Sequence, residues 1–141
     1  TLKEFDLKDH IKIIASGKII TAFDISKALA LGADACYSSR GMMFALGCIQ
    51  ALICDSDKCP VGITTQEKSL YKGINIANKS ERVANYHKNT MKELSNFIGA
   101  CGFQKPNELI PDIFFKRTEQ NLNQSFAELY FHKTNKTNIK L

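Results

Sequence analysis

The chain has no tryptophan, only three prolines, and nowhere eighteen consecutive apolar residues. The missing apolar run excludes a membrane-spanning helix on hydropathy grounds. The opening Thr1-Leu2-Lys3-Glu4-Phe5-Asp6 has no apolar core behind a basic stretch, so no secretory leader is expected. Five cysteines without export features point to a reducing compartment, the cytoplasm, where thiols serve as ligands or core residues more often than as disulfides. Chains ordinarily start with Met, so Thr1 leads us to expect upstream sequence that is missing here.

What is present is a chain of 141 residues, 44% hydrophobic, with a formal net charge of +5. Those values suit one soluble domain or part of one. The basic residues are scattered until Lys133, Lys136 and Lys140, which lie in an Asn- and Thr-rich tail that reads as a solvated end. No nucleic-acid partner is expected from so diffuse a charge.

Three cysteines stand in one short stretch, Cys48-x5-Cys54-x4-Cys59, the last followed by Pro60. Zinc sites favour closer pairs and a fourth ligand, which this run lacks. Gaps of four and five residues allow the backbone to wrap an inorganic core larger than one ion, each thiolate reaching one iron, and a trailing proline also follows cluster cysteines in bacterial ferredoxins. The alternative is three buried structural cysteines. Asp55, Ser56, Asp57 and Lys58 make a polar loop of the second gap, a poor place for core residues.

Upstream, Ile11 to Ala15 reads as a buried strand ending at Ser16-Gly17-Lys18. A helix starting at Thr21 or Asp24 follows, with Ile25, Ala28, Leu29 and Leu31 on its apolar face and Gly32 as its stop. The unit repeats: Ala33 to Tyr37 as a strand, Ser38 to Gly41 as a loop, Met42 to Leu52 as a helix or helical turn. Two βα units imply parallel strands. In barrels of that class the carboxyl-end loops carry the chemistry and the last two often hold a phosphate. Gly17 and Ser39 offer open backbone there, and Lys18 and Arg40 offer cations, Arg40 with bidentate geometry. The plain alternative for both charges is solvation. Cys36 and Cys101 read as packing residues, and Ser80 to Ile98 as a helix capped by Ser80 with His87 on its apolar stripe.

Several stretches together resemble the FMN-binding glutamate synthase family, in the carboxyl-terminal part of its barrel: Ile13 to Thr21, Ala28 to Asp34, Ser39 to Cys48, Cys59 to Gln66 and Lys79 to Thr90. The resemblance covers about Leu2 to Arg117. It implies the last two βα units of a (β/α)8 TIM barrel (residues 1–66, with the cysteine loop), a helical extension over 67–117 and a polar tail over 118–141. It further implies FMN and a [3Fe-4S] cluster as cofactors, with Cys48, Cys54 and Cys59 as cluster ligands and Ser16, Gly17, Lys18, Ser39 and Arg40 around the FMN phosphate. The implied reaction forms L-glutamate from 2-oxoglutarate with nitrogen from glutamine, or with ammonia. Electrons would come from an NAD(P)H-oxidising subunit or ferredoxin, and most FMN ring contacts and the 2-oxoglutarate pocket would lie upstream, in the N-terminal barrel segment absent from this chain; no catalytic residue is assigned in this chain. The first loop is less glycine-rich than in the large glutamate synthases, and Ser39-Arg40 replaces small residues. The likeness is therefore greater to the shorter, stand-alone members. Two other readings are an iron–sulfur module that relays electrons or docks a partner, and an inactive remnant.

Overall fold

The computed structural model describes residue 2, residues 5–118 and residues 122–131. The first two strands, β1 (Ile14–Ala15) and β2 (Ala35–Cys36), pair in parallel with Ile14 opposite Ala35 and Ala15 opposite Cys36. Both are shorter than the apolar runs that predict them, because among the described residues each has a neighbour on one side only. Ile14, which the sequence pattern buries, is half exposed on a free edge.

Between them, α1 (Ala22–Ala30) begins where the sequence places it. The Thr21 hydroxyl accepts from the Asp24 N–H, and the Asp24 carboxylate accepts from the Thr21 N–H, closing a capping box. Gly32 ends the helix in the left-handed region, with φ +105°, and the Ala33 N–H returns to the Ala28 carbonyl. The Asp34 carboxylate then accepts from the Ile13 N–H at 2.8 Å and from Lys8 at 2.8 Å, fixing the entry to β1.

Helix α2 (Ser39–Leu46) starts earlier and stops sooner than the apolar pattern suggests. Gly47 takes a left-handed cap, φ +101°, and Cys48 N–H bonds back to Met43 O, so the cysteine loop is released from the helix one residue before its first thiol. A short α3 (Lys68–Tyr71) precedes the long α4 (Ile76–Ala100). The cap of α4 is Asn75, whose side chain accepts from Asn78 N–H, and Ser80 instead donates to Ala77 O inside the helix. The apolar stripe starts only at Val83, so its periodicity is silent about the first two turns.

The core lies where α1 and α4 cross, filled by Ile25, Leu94, Ile98, Leu109, Phe114 and Phe126 among others. A run of rings, Phe97, Phe23, Phe114, Phe126 and Tyr130, with centroids 5.5–5.9 Å apart, links α1 and α4 to the segment 114–130. That segment holds an antiparallel pair, β3 (Phe115–Arg117) and β4 (Asn123–Ser125), followed by α5 (Phe126–Tyr130) with a Ser125–Glu128 capping box. Part of the segment read as a polar tail therefore packs, at Phe126, Leu129 and Tyr130. The tail lysines lie outside the described residues.

Candidate functional site

At the carboxyl ends of β1 and β2 a cavity of about 350 Å³ opens, within the size range of ligand pockets. Its lining includes Ser16, Gly17, Lys18, Ser39 and Arg40, and from the cysteine loop Cys48 and Cys54. Tyr37, Met43 and Phe44 supply apolar wall. The two βα loops and the cysteine loop, set apart in sequence, thus share one space.

The first loop is held from behind. Gly17 and Lys18 both have positive φ, +99° and +56°. Beyond them the Ile19 carbonyl accepts from the Ser38 hydroxyl at 2.8 Å, and the Ile20 carbonyl accepts from the Tyr86 phenol of α4. Tyr86 reaches that carbonyl across Gly41, where a Cβ would collide with the phenol. Gly41 is thus required for close passage of α4, not for its backbone angles. Because the Ser38 hydroxyl is spent on Ile19, the N-cap of α2 makes no side-chain cap bond, and the first N–H groups of the helix keep their capacity for an anion. Among the described residues, neither Lys18 nor Arg40 forms an ion pair. Two unpaired cations, a positive helix end and open backbone in one cavity are features that could hold an anion.

The cysteine loop is irregular. Gln50, Leu52 and Asp57 are non-glycine residues in the left-handed region. Cys48 is half-buried, Cys54 exposed and Cys59 buried, and all three are free thiols. Together they line a void of about 10 Å³. Among the described residues no three His, Cys, Asp or Glu side chains converge as a site for a single metal ion.

Cys59 is the best prepared of the three. The Thr64 N–H pulls its pKa down; burial opposes this, and the Thr64 hydroxyl with the N–H groups of Val61 and Ile63 brings it to about 7. This ring of donors exists because the chain turns back at Gly62, φ +79°, where a Cβ would strike the Leu70 carbonyl. Asp57 closes the loop by accepting from the Gln66 N–H at 2.6 Å. The Thr64 hydroxyl is buried without a conventional hydrogen-bond partner, beside the sulfur it helps to charge.

A family model described as the conserved region in glutamate synthase matches residues 1–104. The chain belongs to the glutamate synthase family. It is 43% identical over 105 residues to the glutamate synthase large subunit-like protein YerD of Bacillus subtilis, covering 74% of this chain and 20% of that one. It is 40% identical over 108 residues to the archaeal glutamate synthase [NADPH] of Methanocaldococcus jannaschii, covering 77% of this chain and 21% of the relative. With the glutamate synthase [NADH] of Schizosaccharomyces pombe it shares 34% identity over 110 residues, 78% of this chain and 5% of the other. The chain thus spans about a fifth of the length of the first two relatives. Among the described residues no helix is long and apolar enough to cross a membrane.

In this glutamate synthase family chain the structure brings seven of the eight candidate residues to one cavity, while Cys59 joins Cys48 and Cys54 at the adjoining void. Cys36, read as a packing residue, is half-buried, and burial pushes its thiol pKa up. His87 is exposed on α4, beside Tyr86 in a second cavity of about 400 Å³ between β2, α1, α2 and α4. Sequence reasoning misses Ser38, Thr64 and Tyr86. Thr64 carries a faint signal, a hydroxyl residue five positions past a cysteine loop. Tyr86 carries none, since its partner is 66 residues away.

Proposed function

We propose that this chain is the closing part of a (β/α)8 barrel in a glutamate synthase-like oxidoreductase, with the FMN phosphate in the 350 Å³ cavity and a [3Fe-4S] centre in the cysteine loop. The observation that carries this reading is the meeting of unpaired Lys18 and Arg40 with Cys48 and Cys54 around one cavity.

The residues present fit both groups. A phosphate dianion would be held by the Lys18 ammonium, the Arg40 guanidinium and the Ser39 hydroxyl at the amino end of α2. For the cluster, Cys59 is already biased to thiolate, and the Thr64 hydroxyl buried beside its sulfur suits a ligand rich in acceptor atoms, as inorganic sulfide is. The void between the three thiols is smaller than such a core. The segment that bounds it, residues 49–53, is exposed and carries two strained backbone angles, at Gln50 and Leu52, so it is the part able to yield.

When bound, the flavin supplies hydride, and the cluster one-electron transfer, for reducing the imine of 2-oxoglutarate to L-glutamate. This chain's own residues anchor and orient. Lys18 and Arg40 neutralise the phosphate, Ser38 and Tyr86 keep the first loop open towards it, and Tyr37, Met43 and Phe44 exclude water from one wall. The 2-oxoglutarate pocket, the route for ammonia from glutamine and the site of the electron donor belong to the upstream segment and its partners.

That segment would also complete the fold. Among the described residues the β1–β2 sheet has free edges, Ile14 is half exposed, and the 400 Å³ cavity beside β2 is lined by residues that include Leu29, Cys36, Met42 and Leu94. Neighbouring strands would cover these groups. The test is cofactor analysis of the full-length protein carrying this segment, purified without oxygen. Flavin, iron and acid-labile sulfide should be present; Arg40→Ala should shed flavin and keep iron, and Cys54→Ser should shed iron and sulfide. A protein that binds neither group, or that holds zinc, refutes the reading.

A further inference from the structure

Two cations stand at the joint between α2 and the cysteine loop. Gly47 ends α2 in a left-handed turn, and the next residue is Cys48. A Cβ on Gly47 would lie 2.9 Å from the Lys79 Nζ and 4.0 Å from an Arg82 guanidinium nitrogen. Lys79 is half-buried there, and neither cation forms an ion pair among the described residues. Both project from α4 on the stripe that, one turn further on, carries Tyr86. A half-buried ammonium that lacks a carboxylate lowers the energy of any negative charge placed beside it.

The carboxyl end of α2 accounts for part of this arrangement, since a helix terminus attracts cations. The same two cations also face the one turn that leads directly into a thiol. We propose, resting on the reading that the cysteine loop holds an iron–sulfur centre, that Lys79, with Arg82 behind it, sets the reduction potential of that centre by stabilising its more negative, reduced state. Adding one electron breaks and forms no bond; the electron comes from the donor protein in the enzyme and from dithionite in a titration. The effect is then electrostatic, and Lys79, which lies outside the lining of the cavity assigned to the flavin phosphate, is a tuning residue.

The experiment is an anaerobic redox titration of the full-length protein, followed by the paramagnetic signal of the oxidised centre, for the wild type, Lys79→Met and Lys79→Arg. The expected result is a midpoint moved to more negative potential in Lys79→Met and restored in Lys79→Arg, at equal iron and sulfide content. An unchanged midpoint in Lys79→Met, even with a lowered melting temperature, overturns the proposal and leaves Lys79 a helix-end cation. Should Lys79→Met lose the centre, Arg82→Gln decides: a negative shift supports the proposal and an unchanged midpoint overturns it. A wild type without iron and sulfide defeats the underlying reading, a failure distinct from a loaded centre whose midpoint ignores the substitutions.

Discussion

Gly41→Ala isolates the packing that holds the candidate anion loop. On an exposed helix the change would stabilise by about 1 kcal/mol, since alanine is the better helix former. Here the new methyl would stand 2.6 Å from the Ser38 hydroxyl and 2.9 Å from the Tyr86 Cζ, with the phenol oxygen closer still. Relief requires α4 or the Tyr86 ring to shift, an overpacking cost of roughly 1–3 kcal/mol. The shift breaks the bonds from Ser38 to Ile19 and from Tyr86 to Ile20, at about 1 kcal/mol each. Net of the propensity gain, the variant should lose about 2–4 kcal/mol, read as a lower denaturant midpoint. FMN affinity should fall by about 30-fold, which corresponds to the two lost bonds at roughly 1.4 kcal/mol per tenfold. Adding Tyr86→Phe removes the nearest clashing atom, so the double variant should be more stable than the sum of the single effects by about 1 kcal/mol. A neutral or stabilised Gly41→Ala protein with unchanged flavin affinity would refute the packing argument.

Lys18→Ala and Arg40→Ala should each weaken FMN binding about 10- to 100-fold, because each removes a charge-assisted bond of roughly 1.5–3 kcal/mol; equilibrium dialysis reads the change, with iron content as the control. Cys36→Ser and Cys101→Ser should leave iron and sulfide content unaltered, in contrast to Cys48→Ser and Cys59→Ser, as elemental analysis will tell. Two carboxylates make stability acid-sensitive. The hydrogen bond from Lys8, then that from the Ile13 N–H, holds Asp34 at about 2, while at Asp24 burial, which pushes upward, is outweighed by bonds from Thr21, Lys27 and the Ile20 N–H, again to about 2. A folded-state value depressed below the unfolded one near 4 means stability present above pH 4 and lost as pH falls towards 2. Melting temperatures over that range should fall less steeply for Asp34→Asn than for the wild type.

What the sequence made legible was local. The capping box of Thr21 and Asp24, the glycine stop at Gly32 and the two cationic loop residues each declare themselves within a few positions. The cysteine spacing was visible because its signal is the spacing itself. The course of α2 departs from its apolar pattern because apolar residues continue through Leu52, whereas the left-handed turn at Gly47 decides where the helix ends. His87 fell on a helical stripe yet stands exposed, since a stripe on a long helix reports burial only where another element crosses it. The contacts that shape the site, Tyr86 with Ile20, Lys79 with Gly47 and Thr64 with Cys59, join segments that meet only in three dimensions.

The most direct test of the central claim is the cofactor stoichiometry of the full-length protein purified under argon: FMN by fluorescence after release, iron and acid-labile sulfide by chemical assay. The account expects one flavin with iron and sulfide in the three-to-four ratio of a [3Fe-4S] centre. Protein that folds, keeps its thiols reduced and carries neither flavin nor iron would contradict it.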